Sequence, residues 1–144
     1  MEIQSRVLPH LSADSGKMNE LELFNYLKSV HIPDLIQAEQ YDAWDCVSGR
    51  SRIYIELKSR NTHYDTLLIE KPKYVQLKIK AMRKGFTAWY INSTPMGIWA
   101  FNLSKIPRIE WHPKELPRYT QFTNQDKIVK QVAYLSIENG IRML

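Results

Sequence analysis

The sequence predicts one α/β or α+β domain, spanning residues 1–144, in which helices flank a mixed central β-sheet. The 144 residues, of which 44% are hydrophobic, suffice for one core and are too few for two full-size domains. Segments with helical spacing alternate with segments rich in β-forming residues, an order typical of helices packed on a sheet. The single cysteine, Cys46, cannot close an intrachain disulfide, so we expect folding in a reducing cytoplasm.

Charge and hydropathy narrow the choice of partners. The chain carries 20 Lys and Arg against 15 Asp and Glu, a net charge of +5, which makes a polyanion the first partner to consider without identifying one. No apolar run approaches the ~20 residues that span a bilayer, and the N-terminus lacks the apolar segment of a signal peptide. We therefore expect a cytoplasmic protein that does not act at a membrane.

The first predicted element is a helix over residues 18–30. Asn19 or Ser15 would cap its start, because both side chains accept hydrogen bonds from backbone N–H groups. Apolar residues at three-residue spacing predict its buried face: Leu21, Phe24, Leu27 and Val30.

Residues 39–59 predict a β-hairpin whose turn is at Ser48-Gly49. In its second arm Ile53, Ile55 and Leu57 alternate with polar and charged neighbours. We therefore expect one face of this arm to enter the core and the other to carry charge.

A polar connection over residues 60–70 precedes the second helix, which begins at Pro72 and ends at Lys84, with Gly85 as its C-cap. Four apolar residues of this helix predict its buried face: Tyr74, Leu77, Ala81 and Met82.

Three further strands are predicted, at residues 86–91, 98–103 and 128–136, with a turn at Pro95-Met96-Gly97 between the first two. The stretch 104–122 predicts a loop, because three prolines exclude a long helix or a central strand there: Pro107, Pro113 and Pro117.

The residues that carry chemistry lie in the predicted hairpin. Glu56-Leu57-Lys58 is the only acidic-x-Lys triplet, and on a strand its two charged side chains point the same way. Folding the hairpin brings either Asp42 or Asp45 near Glu56. We favour Asp42, because a turn at Ser48-Gly49 would leave Asp45 facing Tyr54 or its neighbours. Two converging carboxylates suit Mg²⁺, and an adjacent ammonium can activate water or offset charge on phosphorus.

A helix bearing a Glu, then Tyr-Asp, a hairpin and the segment IYIELKSR together resemble the PD-(D/E)xK superfamily of restriction-endonuclease-like nucleases. Within it, small phage and viral nucleases and Holliday-junction resolvases are most similar. The similarity covers about residues 18–103, with 104–144 as a C-terminal extension. Tyr41 stands where the name-giving motif has Pro, so both Asp42 and Asp45 stay open as the ligand. The residues that match the family's site are Glu20, Asp42, Glu56 and Lys58.

The resemblance implies a restriction-endonuclease-like core that binds Mg²⁺ or Mn²⁺ through Asp42 and Glu56, with Asp45 as the alternative ligand. Lys58 and Glu20 would assist the hydrolysis of a phosphodiester bond by metal-activated water. Glu22 is the alternative to Glu20, which we favour because it lies at the edge of the buried helical face.

Basic and polar residues near this site are expected to bind substrate. Arg60 and Asn61 directly follow the triplet, and His63 lies close behind them. On the second helix a polar face can follow a phosphate backbone: Lys73, Gln76, Lys80 and Arg83. In the 104–122 loop, Lys105, Arg108, Lys114 and Arg118 alternate with Trp111, Tyr119 and Phe122, a composition that suits single-stranded or branched nucleic acid.

The sequence thus predicts a divalent-metal-dependent endo- or exonuclease. Its size favours DNA cleavage that is structure-selective or weakly sequence-specific, in a homodimer or a larger complex. One alternative is a nucleic-acid-binding or structural protein that keeps the fold without hydrolysis. Another is a metal-dependent enzyme with a different substrate.

Overall fold

The computed structural model describes residues 17–38, 44–106, 108–117 and 127–144. Asp42, Tyr119 and Phe122 lie outside these ranges, as do Ser15 and Arg118. In chain order the described elements are α1 (Glu20–Val30), β1 (Ile36–Gln37), β2 (Asp45–Ser48), β3 (Ile53–Ser59), β4 (Thr66–Glu70), α2 (Lys71–Lys84), β5 (Thr87–Thr94), β6 (Gly97–Asn102), β7 (His112–Pro117), β8 (Lys127–Ser136), a 3-10 helix (Ile137–Asn139) and β9 (Ile141–Arg142).

The strands form two sheets. The larger has the order β1-β2-β3-β5-β6-β9, in which only the central β3–β5 pair is parallel. The smaller has the antiparallel order β4-β8-β7. The predicted mixed sheet with accompanying helices, and hence the α+β class, is confirmed.

Both faces of the larger sheet are covered. On one face α1 packs with Leu23 and Leu27 against the Ile53, Ile55 and Leu57 side of β3. On the opposite face, Tyr54 of β3 packs with residues of α2 and of the smaller sheet: Leu77, Ala81, Leu67, Ile69, Ala133 and Leu135. The side of β3 that was predicted to carry charge does carry Glu56 and Lys58, and α2 and the smaller sheet cover it.

The helix boundaries follow from local chemistry. Asn19 caps α1 in a reciprocal capping box with Glu22: the Asn19 side chain accepts a hydrogen bond from Glu22 N and the Glu22 side chain accepts one from Asn19 N. Gly85 ends α2 with a φ of 71°, a left-handed conformation that glycine adopts without a steric penalty. Asn19 and Gly85 were both predicted for these roles.

Two apolar residues lie outside the faces predicted for them. Leu21 and Met82 are exposed, while Leu23 and Tyr26 take the buried positions on α1. On α1, Leu27 is buried and Phe24 and Val30 pack against the core as predicted. Leu21 does not, because i, i+3 spacing alone drifts around a helix of 3.6 residues per turn.

Two strands form where connections were predicted. β4 lies within the 60–70 connection, and β7 lies within the 104–122 stretch. Both belong to the smaller sheet, where β7 is an edge strand, the place where Pro113 and Pro117 are tolerated. β7 is rich in proline and polar residues, whereas β4 is short and mostly apolar, and both strands are stabilised by pairing with the distant β8.

The hairpin turn lies further along the chain than predicted. Ser48 pairs with Ile53, so the turn spans residues 49–52 and its centre is two residues beyond the predicted Ser48-Gly49 centre.

Asp34 holds this turn from outside the hairpin. Its carboxylate accepts hydrogen bonds from Ser48 Oγ at 2.6 Å and from Arg50 N at 2.9 Å. The Ser48 hydrogen bond is the main reason why the pKa of Asp34 is lowered. Arg52 completes the turn with a φ of 56°, which is uncommon for a residue other than glycine. The pairing of β2 with β3 therefore depends on a contact made by a residue that precedes the hairpin.

The chain after residue 103 completes both sheets. β8 lies at the centre of the smaller sheet and β9 pairs with β6 at an edge of the larger one. Met143 is buried in the core beneath α1. Within the described residues, no helix is long and apolar enough to cross a membrane.

Candidate nuclease site

Two carboxylates meet across the β2–β3 pair. Asp45 pairs directly with Glu56, and both residues are nearly buried, with 7% and 8% of their surface exposed. Facing residues on neighbouring strands share a side of the sheet, so Asp45, Glu56 and Lys58 lie on one face. We call Asp45 and Glu56 the carboxylate pair.

The sequence-based assignment of partners across the hairpin is wrong for Asp45. Asp45 was expected to face Tyr54 or its neighbours, with Asp42 favoured near Glu56, but Val47 pairs with Tyr54 and Asp45 pairs with Glu56. The turn is centred at residues 50 and 51 and not at Ser48-Gly49. This difference places each residue of β2 opposite a later residue of β3 than was predicted. Asp42, the favoured ligand, lies outside the described residues, and its role stays a prediction.

Helix α2 supplies cations to the carboxylate pair. Lys80 Nζ lies 3.1 Å from Asp45 Oδ2, and Lys73 Nζ lies 3.9 Å from Glu56 Oε1. These lysines are seven residues apart, about two helical turns, so both side chains reach the sheet from one side of α2. Tyr54 also donates its hydroxyl hydrogen bond to Asp45 Oδ2, at 3.3 Å. Both lysines were predicted to bind substrate phosphates, yet the structure directs them to the carboxylates.

Burial raises the pKa of Glu56 above its ordinary value. The nearby Lys73 opposes this rise, and the negative charge of Asp45 adds to it. Two carboxylates held side by side away from water repel each other, and a cation between them relieves that repulsion. The pair is therefore suited to binding positive charge.

Lys58 is half-buried beside this pair. Burial lowers its pKa most, and the positive charge of Arg60 lowers it further, while Glu56, Glu70 and Glu20 oppose the shift. A lysine with a lowered pKa is a weaker base, but a larger fraction of it is unprotonated near neutral pH and able to accept a proton. The negative charge of Glu20 thus acts on Lys58, and its assisting role stays a prediction.

Glu22, the alternative to Glu20, is engaged elsewhere. Its carboxylate accepts the Asn19 N–H at 3.2 Å as part of the helix cap. Its side chain therefore has a structural role at the start of α1.

Arg60 and Asn61 adjoin the site but differ in what they contact. Arg60 donates from Nε to Asn92 Oδ1 at 3.1 Å and from its terminal nitrogens to Tyr90 Oη and the Leu68 carbonyl. These bonds connect the ends of β3 and β5 to β4, so the guanidinium anchors the fold rather than extending toward substrate. Asn61 is exposed and accepts a hydrogen bond from Lys17 Nζ.

Other predicted residues fall outside the immediate site. His63 Nδ1 lies 3.0 Å from Thr94 Oγ1, and the His63 ring packs on Trp99 with centroids 4.8 Å apart. Gln76 is exposed on α2. Arg83, together with Lys80 and Lys84, lines a cleft of about 370 Å³ next to Tyr54.

Glu70 and its partner Lys130 are site neighbours that the sequence did not indicate. Their charged groups lie 2.8 Å apart and both side chains are mostly buried. Glu70 also acts electrostatically on Lys58. Glu70 could have been identified only if β4 had been predicted as a strand, because Glu70 lies at the end of the predicted connection before the second helix.

The carboxylate pair fits a hard divalent cation in number and in chemistry. Mg²⁺ is commonly held by one or two carboxylates and completes its coordination with water and substrate phosphate oxygens. Asp45 and Glu56 would hold it, and their mutual repulsion favours its binding. Among the described residues there is no group of three or more His, Cys, Asp or Glu side chains placed to hold a metal.

Comparisons with known proteins add no relative. Neither a protein-family model, nor a curated protein, nor a solved structure matches this chain. The restriction-endonuclease-like resemblance therefore stays a prediction from the residues.

Proposed function

We propose that the protein is a divalent-metal-dependent nuclease that hydrolyses DNA phosphodiester bonds on a restriction-endonuclease-like core. One observation carries the proposal: Asp45 and Glu56 form a buried cross-strand pair, and Lys58 lies on the same face, two residues from Glu56. Two carboxylates that can hold a metal ion, with an amine beside them, support metal-assisted attack of water on phosphorus.

Each residue has a distinct role in the proposed reaction. Asp45 and Glu56 hold Mg²⁺ or Mn²⁺, which when bound supplies a Lewis acid and a more acidic water. Lys58, whose pKa is lowered by burial, accepts a proton from the attacking water or offsets charge on phosphorus. Glu20 supports the protonated state of Lys58, because its negative charge opposes that lowering.

The test is cleavage of labelled single-stranded, duplex, flap and four-way DNA and of single-stranded RNA, in Mg²⁺, Mn²⁺ and EDTA. We expect cleavage of at least one DNA substrate with either metal and none in EDTA. Asp45→Asn and Glu56→Gln should each abolish cleavage, whereas the exposed Glu138→Gln is the matched control and should keep full activity. Asp42→Asn tests the residue outside the described ranges. Cleavage that persists in EDTA or in Glu56→Gln would refute the proposal.

A nucleic-acid-binding protein without hydrolytic activity is the second candidate. The observation that favours it is the pair of α2 lysines, which already neutralise both carboxylates. Titration calorimetry with Mn²⁺ separates the two candidates. A nuclease should show a Mn²⁺ site that Asp45→Asn and Glu56→Gln remove, and the binding protein should show none.

A further inference from the structure

A groove of about 520 Å³ lies where the chain leaves β3, two residues beyond Lys58. Residues that follow β3 line one part of it and residues of β4, β7 and β8 line the rest. Among its lining residues are Arg60, Asn61, Tyr64, Leu68, Lys114 and Tyr134. Its volume lies in the range of pockets that hold molecules of nucleotide size.

Two tyrosine rings in this groove are open to solvent. Tyr64 is 64% exposed and Tyr134 is 45% exposed, so both rings are accessible to a ligand. Lys114 Nζ lies 5.6 Å from the centre of the Tyr134 ring and 3.3 Å from its hydroxyl oxygen. An exposed ring beside a fixed cation can stack on a base while the cation contacts a phosphate.

The charge of the groove has one sign. Arg60 and Lys114 line it, and Lys17 binds the side chain of Asn61 at its rim. No Asp or Glu is among the described residues that line it. The groove therefore attracts an anionic chain and does not repel one at any lining position.

The groove and the proposed site are connected through the chain. Arg60 follows Lys58 by two residues, and its hydrogen bond to the Leu68 carbonyl connects this part of the chain to β4. Leu68 pairs with Tyr134, and Glu70, two residues after Leu68, acts electrostatically on Lys58. The groove is thus built by the segment that follows β3 and by the strand that carries Glu70.

We propose that this groove binds a single-stranded segment of DNA, whose bases stack on Tyr64 and Tyr134 while Lys114 and Lys17 contact its phosphates. The inference rests on the proposed nuclease function and names its substrate class. Bases in a duplex are already stacked on each other and cannot cover a protein ring. The rings therefore select unpaired DNA, either a single strand or a single-stranded tail.

Fluorescence anisotropy in EDTA tests this inference without relying on cleavage. The probes are a labelled oligo-dT, a duplex of the same length and an oligo-rU. We expect the wild-type protein to bind oligo-dT more tightly than the duplex or oligo-rU. Tyr64→Leu and Tyr134→Leu should each weaken oligo-dT binding by about 5- to 100-fold, the loss expected for one stacked base. The matched variants Tyr64→Phe and Tyr134→Phe keep the ring and should keep most of the affinity.

Unchanged oligo-dT affinity in both Leu variants would overturn the inference, as would equal or tighter binding of duplex or oligo-rU. If a Leu variant fails to fold, Lys114→Met tests the same groove, because it should flatten the salt dependence of oligo-dT binding by about 0.7 per lost phosphate contact. If oligo-dT binding depends on the two rings but no DNA is cleaved, the nuclease proposal is rejected and the groove proposal stands. If DNA is cleaved but binding does not depend on the rings, the groove proposal is rejected and the nuclease proposal stands.

Discussion

Two carboxylates facing each other across a strand pair carry an electrostatic cost that the fold must offset. Like charges directly opposite in a sheet destabilise it, and burial increases that cost. Here Lys73 and Lys80 reach down from α2 to offset the charges of Glu56 and Asp45. Ion pairs with the two lysines thus compensate the repulsion within the carboxylate pair.

The raised pKa of Glu56 predicts how stability depends on pH. Because burial raises its folded pKa above the ordinary 4.5, the folded protein holds this proton more tightly than the unfolded chain. The contribution of Glu56 to stability is therefore complete below pH 4.5 and is lost as the pH rises through the raised value. Glu56→Gln removes this dependence.

Urea unfolding without divalent cations measures this effect. The stability of Glu56→Gln relative to the wild-type protein should increase as the pH rises from 4 toward neutrality. For the exposed Glu138→Gln control, the difference from the wild-type protein should stay constant. A Glu56→Gln difference that is independent of pH would contradict the buried environment of Glu56.

Two substitutions of Lys58 distinguish the possible roles of its amine. Lys58→Ala should lower the cleavage rate by about 10²- to 10⁴-fold, the range for loss of a general acid–base group. Lys58→Arg keeps the positive charge but cannot release a proton near neutral pH, so an equal loss would identify Lys58 as the proton acceptor. We expect that equal loss, because the pKa of Lys58 is already lowered. If Lys58→Arg keeps its activity, Lys58 acts only by stabilising negative charge and not as the proton acceptor.

At the scale of elements, the turn between β2 and β3 decides which carboxylates meet. Asp34 is placed before the hairpin, yet its two hydrogen bonds determine where the turn lies. A one-residue slip in this pairing would send every side chain of β2 to the opposite face. The site therefore depends on an acidic residue that takes no part in its chemistry.

Asp34→Ala should destabilise the protein by about 1 to 3 kcal/mol, the value of hydrogen bonds to a charged group. The pKa of Asp34 is lowered from 3.8, so this stabilisation is present above that pH and is lost as the pH falls through the lower folded value. Urea unfolding measures the loss, and the exposed Asp65→Ala serves as control. If Asp34→Ala leaves stability unchanged at neutral pH, the turn does not need Asp34.

The basic residues of helix α2 fall into two groups with different surroundings. Lys73 and Lys80 reach the carboxylate pair, whereas Arg83 and Lys84 are exposed at the C-terminal end. A sequence cannot separate these groups, because all four lie within one basic stretch. Their partners differ only because the helix is packed across β2 and β3.

For the molecule as a whole, the positions of the cations are more informative than the net charge of +5. The cleft of Lys80, Arg83 and Lys84 lies on the Tyr54 side of the carboxylate pair, and the groove of Arg60 and Lys114 lies on the Lys58 side. The cations named here are thus gathered at two separate depressions, whereas the carboxylate pair itself is nearly buried.

The double variant Arg83→Ala, Lys84→Ala should reduce the salt dependence of DNA binding. Each lost phosphate contact removes nearly one released counterion, a slope change of about 0.7 to 0.9. Stability should barely change, since exposed charges contribute little to it. Anisotropy at several salt concentrations measures the slope, with Lys127→Ala, distant on β8, as control. An unchanged slope would leave this end of α2 as a plain solvated surface.

The sequence by itself determined the elements that depend on neighbours close in the chain. Periodic apolar residues, Asn19 and Gly85 predicted both helices, and alternation predicted β3. The strands β5, β6 and β8 were also predicted within a few residues. The side-by-side placement of Glu56 and Lys58 follows from the two-residue period of any strand. These features need only local geometry.

Only the tertiary structure decided what depends on distant partners. The pairing of Asp45 with Glu56 depends on Asp34, the strands β4 and β7 depend on β8, and the roles of Lys73 and Lys80 depend on how α2 crosses the sheet. Hydrogen bonds and ion pairs between residues far apart in the chain leave no periodic signal in the sequence. For that reason the chemical groups of the candidate site could be named in advance, whereas the contacts between them could not.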